Sequence, residues 1–213
     1  MARLYQRKGS TRIAFTVLLL ALLTGRVAAQ GLYESPVLVV DPGMHTAIIK
    51  EIATDTAGRF IATGADDKTV RVWSAGDGKL LQTIRVPAGP EAIGKVYAVA
   101  MSPDGNLVGA AGWMEAWNDT AIYLFDRSTG KMVRRISGDL PDVCFRLVFS
   151  ADGRYLAATL GRGGGLRVFD RDKNWSEAFR DANYGGDPYG AAFADDGRLA
   201  TSSYDGKIGS VEF

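Results

Sequence analysis

The chain has 213 residues, with 25 Lys and Arg against 24 Asp and Glu, a formal net charge of +1 and 46% hydrophobic residues. That balance belongs to a folded globular chain; it excludes a disordered segment and gives no basic footprint for nucleic acid. The 26 glycines are scattered at turn-like positions, so neither collagen nor a flexible linker fits.

The first segment reads as an export signal. A basic stretch with Arg3, Arg7, Lys8 and Arg12 precedes an apolar run over 13–23, and Val27-Ala28-Ala29 supplies the small residues a signal peptidase accepts. Residues 1–29 are therefore expected to be removed after Ala29. The run of 11 apolar residues is shorter than the roughly 20 that span a bilayer, so no stable membrane anchor is expected after cleavage. A mildly acidic mature chain, periplasmic or secreted, with a signal of bacterial type, is the expectation. Cys144, the single cysteine, has no disulfide partner within the chain and lies in the apolar stretch Val143-Cys144-Phe145, where it reads as a small buried hydrophobe.

From residue 45 onward the chain repeats. Gly58, Gly105, Gly153 and Gly197 each follow a polar turn and precede a small, apolar strand, at spacings of 47, 48 and 44 residues. An apolar strand precedes each turn, over 47–52, 96–101, 145–149 and 189–193. A third strand follows over 69–73, 121–125 and 165–169, and a fourth over 80–86, 131–136 and 175–179. Short alternating strands separated by Asp-Gly and Gly-rich turns predict antiparallel meanders, and no segment has a sustained helical period. The units span roughly 45–87, 91–138, 143–180 and 187–213, the last without its fourth strand.

A four-stranded unit of about 45 residues is the size of a β-propeller blade. On these repeats the sequence resembles the WD40-repeat family, from Met44 to about Ile208. In the first unit His45, Thr63, Asp67 and Trp73 match in type the hydrogen-bonded tetrad of that family. Later units depart: none has the His, Phe125 and Phe169 replace the Trp, and Gly163 replaces the Asp. The resemblance implies an all-β fold of about four four-stranded antiparallel blades, an incomplete, open seven-bladed propeller. Two readings of the number stay open. The chain is the amino-terminal piece of a longer protein, or the apolar segment 37–40 completes the fourth blade and closes a small ring. An unclosed array exposes two blade faces, so self-association is expected of it.

Each candidate site has a plainer reading. His45 could serve as a base or ligand, but one His with no second His or Cys nearby makes no zinc site, and the tetrad explains it. Gly161 to Gly165 lacks the Lys-Ser or Lys-Thr of a phosphate loop and enters a strand. Asp195-Asp196-Gly197 lacks the spacing of a calcium loop. No cofactor, metal or catalytic residue is expected. The least repetitive stretch, Gly112 to Asn118, places Trp113, Met114 and Trp117 in a loop; these, with Trp175, Tyr184 and Tyr189, are the candidate partner-binding residues. The expected function is a non-catalytic protein-binding scaffold for a protein or peptide partner. The alternatives are the propeller piece of a longer exported enzyme, such as a propeller-linked peptidase or a quinoprotein-like protein, and a remnant of a broken gene.

Overall fold

The structure, a computed structural model, describes residues 31–115, 120–141 and 143–213. The expected signal segment lies outside the described residues, as does Trp117.

Among the described residues, fifteen strands form four antiparallel meanders. The first sheet is β1 (Ile49–Thr54), β2 (Phe60–Ala65), β3 (Thr69–Ser74) and β4 (Leu80–Arg85). The second is β5 (Lys95–Met101), β6 (Leu107–Trp113), β7 (Ala121–Asp126) and β8 (Met132–Ser137). The third is β9 (Cys144–Phe149), β10 (Tyr155–Leu160), β11 (Gly165–Asp170) and β12 (Ser176–Asp181), with one 3-10 turn at Arg171–Lys173. The fourth has three strands, β13 (Pro188–Phe193), β14 (Arg198–Ser203) and β15 (Ile208–Glu212). Sequence reasoning lost the repeat after Ile208. The strand persists there, with Gly209, Ser210 and Val211 in register against Thr201, Ala200 and Leu199; only the aromatic signature of a third strand is missing.

The turns that start each second strand are built alike. Ser102 Oγ donates to Asp104 and accepts from Leu107 N at 2.9 Å; Ser150, Asp152 and Tyr155 repeat the arrangement. Gly105 closes its turn at φ +70, a conformation that costs an L side chain and suits Gly. In the first sheet Asp55 takes the role of the Ser, accepting from Arg59 N and Phe60 N at 2.7 and 3.0 Å.

Each sheet packs on the next through alternate residues, as the two-residue period of a strand requires. Three buried clusters mark the three junctions. One joins Ala62, Val70, Val72 and Ile84 to Val99, Val108, Tyr123 and Phe125. A second joins Ala111, Ile122 and Leu124 to Leu147, Leu156 and Phe169, with Cys144 buried in it as expected. The third joins Leu166 and Val168 to Ala191 and Leu199. Gly64 makes the first junction close, since a Cβ there would sit 2.6 Å from Val96 Cγ1. The inner strands β1, β5, β9 and β13 lie side by side in chain order. Glu51 of β1 accepts from Arg146 of β9 at 2.5 Å, across the second sheet.

The array is an open propeller: its first and fourth sheets are not packed together. Of the two readings, the one in which residues 37–40 close a small ring is not what the structure has. They form no strand and are 56, 94, 55 and 81% exposed. The reason is reach: Arg71 Nη2 holds Asp41 at 2.7 Å, which ties this segment to the first sheet while the edge it would complete lies on the fourth.

Candidate functional site

The segment His45 to Trp73 brings four polar side chains into one chain of hydrogen bonds. His45 Nδ1 lies 2.9 Å from Asp67 Oδ2 and His45 Nε2 2.8 Å from Thr63 Oγ1, while Trp73 Nε1 donates to Thr63 Oγ1 at 2.9 Å. A carboxylate only accepts, so Nδ1 carries the imidazole hydrogen and Nε2 accepts from the Thr63 hydroxyl. Asp67 also accepts from Thr46 N, Thr69 N and Thr69 Oγ1 at 3.0, 3.1 and 2.7 Å. Its partial burial raises its pKa, but these donors outweigh that effect and hold the carboxyl below its ordinary value. Every polar atom of the His45 ring is engaged within the sheet, so this group presents nothing to a ligand.

The fourth sheet contains a reduced version that sequence reasoning did not find. Tyr184 OH meets Thr201 Oγ1 at 2.8 Å, and Gly185 N donates to Asp205 at 3.2 Å, as Thr46 N does to Asp67. Thr201 lies opposite Gly209 as Thr63 lies opposite Arg71, so the two threonines hold equivalent positions. Tyr184 therefore stands where His45 stands, and Val211 where Trp73 stands. Tyr184 had been singled out as a loop aromatic; it is half-buried with its hydroxyl turned into its own sheet.

The other aromatic candidates separate by exposure. Met114 is 0% exposed; its place among the partner-binding candidates is corrected, because its side chain is packed into the junction of the first two sheets. Trp175 is half-buried and edge-on to Phe149, at 6.2 Å between ring centres. Trp113 ends β6, edge-on to Tyr97 at 6.5 Å. Tyr189 is 49% exposed.

Tyr189 belongs to a feature that recurs in every sheet. The pairing of each inner strand slips by one residue near its start: between Ile49 and Glu51, Val96 and Ala98, Cys144 and Arg146, and Pro188 and Gly190. The residues left over are Lys50, Tyr97, Phe145 and Tyr189. A bulge re-aims the extra side chain, and here four repeats re-aim it at the same end of the array, the end that carries Asp67 and Asp205. The four form two couples: Lys50 Nζ lies 5.1 Å above the Tyr97 ring, and Phe145 stacks on Tyr189 at 4.4 Å and 26°. Each bulged residue also meets its own sheet's second turn: Lys50 is 3.6 Å from Asp66, Tyr97 touches Trp113, Tyr189 lies 6.3 Å from Tyr204, and Phe145 covers Gly161. Tyr204 is 83% exposed. The result is a rim of aromatic rings flanked by one ammonium. Sequence reasoning missed Lys50, Tyr97 and Phe145; their common distance ahead of each turn Gly was the available signal.

At the opposite end, a cleft of about 370 Å³ is lined by Thr54, Asp55, Met101, Pro103, Phe149 and Ser150. Its Asp55 and Ser150 are committed to their own turns. No group of three His, Cys, Asp or Glu side chains able to hold a metal ion occurs among the described residues.

Residues 41–74 match the family model described as WD domain, G-beta repeat. Parts of curated proteins are similar to this chain. Protein HIR1 of Cryptococcus neoformans is 32% identical over 72 residues, 33% of this chain and 8% of that protein. Protein hir1 of Schizosaccharomyces pombe is 32% identical over 86 residues, 40% and 9% respectively. The ribosome biogenesis protein BOP1 homolog of Drosophila virilis is 32% identical over 63 residues, 30% and 7%. The matched stretch is thus less than a tenth of the length of each of these relatives.

Proposed function

We propose that this chain is a non-catalytic docking module that takes a protein segment on the rim formed by Lys50, Tyr97, Phe145 and Tyr189. WD40 repeat domains commonly mediate protein–protein interactions. The observation that carries the reading is the fourfold inner-strand bulge, which aims the rings of Tyr97, Phe145 and Tyr189 and the ammonium of Lys50 out at one end. Rigid aromatic side chains supply contact area at low entropic cost and dominate interface energetics. Lys50, fixed by Asp66 and Tyr97, adds a cation beside them, so the segment that fits carries an apolar or aromatic anchor next to an acidic residue. The His45, Thr63, Asp67 and Trp73 chain acts as scaffold in this reading.

Peptide display against the immobilised chain tests it. Selected peptides are expected to lose about tenfold or more in affinity for Tyr189→Ala and for Lys50→Ala, since ~1.4 kcal/mol is a factor of ten. Unchanged melting temperatures would show the fold intact. Peptides indifferent to both substitutions but lost on Leu81→Asp, at the outer edge, would overturn it.

A further inference from the structure

The inner strands carry a second regularity, one position past each bulge. In the first three sheets the residues there are Glu51, Ala98 and Arg146. The charged two come from the first and third sheets, and the small Ala98 between them leaves Arg146 Nη1 room to reach Glu51 at 2.5 Å. Three positions past the same bulges stand Ala53, Ala100 and Val148, all small and without a polar side-chain atom. These three line the inner part of the cleft of about 370 Å³ whose mouth lies opposite the rim, and Arg146 lines it on the rim side. That volume falls within the range of about 300–1,000 Å³ usual for small-molecule sites.

The charges of the cleft are not equally spent. Asp55, at the mouth, has a fully enclosed side chain, paired with Arg59 Nε at 2.7 Å and accepting from two backbone N–H groups, so it does not oppose an anion. Arg146 is 38% exposed along its side chain. It gives Nη1 to Glu51, and its Nε has no hydrogen-bond partner. A guanidinium carries five N–H donors in a fixed fork, and one bond to Glu51 leaves most of them unused.

We propose that this cleft binds a small monocarboxylic acid, with its carboxylate on Arg146 beside Glu51 and its short body along Ala53, Ala100 and Val148. A planar carboxylate matches the guanidinium fork. Glu51 sets the charge limit: it lies against the same guanidinium, and a dianion meets stronger repulsion from it than a monoanion does. Glu51 thus orients Arg146 and competes with the ligand for it. The site is separate from the docking rim and does not rest on that reading.

An NMR titration of the isotope-labelled chain with sodium butyrate at constant ionic strength tests the proposal. Saturable shifts are expected at the amides of Ala53, Ala100 and Val148, with Tyr204 on the rim unmoved. Arg146→Gln is expected to weaken butyrate about tenfold or more, and Glu51→Gln to tighten it several-fold. A pair that only holds two sheets together would respond alike to either substitution. Should Arg146→Gln fail to fold, the gain in Glu51→Gln decides. No shifts with butyrate at tens of millimolar, binding kept in Arg146→Gln, or affinity unchanged or lower in Glu51→Gln would each overturn the proposal. So would equal binding of chloride, of inorganic phosphate, or of a glutamyl tripeptide with blocked termini, the last marking a protein side chain as the ligand.

Discussion

In the first sheet Asp67 accepts from His45, Thr46 and Thr69, and Thr63 takes the indole of Trp73; in the fourth, Asp205 accepts from Gly185, Ser203 and Lys207, and Thr201 takes the hydroxyl of Tyr184. The acid at the turn and the hydroxyl on the second strand survive; the imidazole and indole that join them do not. Asp67 is enclosed and Asp205 open to water, although hydrogen bonds, that from Ser203 first, lower the Asp205 pKa to about 2. The first sheet therefore depends more on its network for stability than the fourth does. The fourth is held differently. Phe213 packs against Tyr155, Phe179 and Phe193 at 5.1, 5.7 and 6.1 Å, fixing the end of β15 to the third sheet.

The largest effect expected is at that anchor. Phe213→Ala should cost about 2–3 kcal/mol, below the ~3–5 kcal/mol of a fully buried ring because Phe213 is only half-buried. Hydrogen exchange should show protection lost in β13, β14 and β15 and kept in the first sheet; a uniform loss would break the comparison. Next is Asp67→Ala, which strands the His45 Nδ1–H and two backbone N–H groups and should cost about 1–3 kcal/mol in thermal unfolding. Asp205→Ala should cost visibly less. The Asp67 contribution also has a defined pH window. A lowered folded-state pKa means the stabilisation is present above the ordinary aspartate value and disappears as pH falls through the folded value. The wild type and Asp67→Ala should then converge in acid, and curves that stay parallel would place the cost in packing. The smallest effect is at Tyr184→Phe, which removes one neutral hydrogen bond and should cost about 0.5–1.5 kcal/mol. A loss equal to that of Asp67→Ala would show the reduced network to be as important as the full one.

How much of this was legible followed from where the information resides. Turns and strands were readable because Gly58, Gly105, Gly153 and Gly197 recur with alternating apolar residues, a local signal. The first network was readable because His45, Thr63, Asp67 and Trp73 all keep the expected types. Its counterpart was hidden because Tyr is foreign to that pattern and the fourth repeat is one residue shorter: Tyr184 stands 21 positions before Asp205, His45 22 before Asp67. The rim was hidden for another reason. A bulge is a property of two strands' pairing, and nothing in the sequence of β9 alone says that Phe145 is passed over. Met114 was misread because its place just past the end of β6 does not say whether its side chain turns outward or into the junction of the first two sheets, where it is buried.

The Arg146–Glu51 pair has a consequence for the order of assembly. Its partners are 95 residues apart, so their approach closes a long loop, and the entropy of that closure is recovered only after the intervening second sheet is in place. Neighbouring strands within a sheet meet at short separations and form early; this pair belongs to the slow, high-contact-order part of folding. It ties the first sheet, made first on the ribosome, to the third, made a hundred residues later, and so acts late, slowing the loss of native structure rather than speeding its gain.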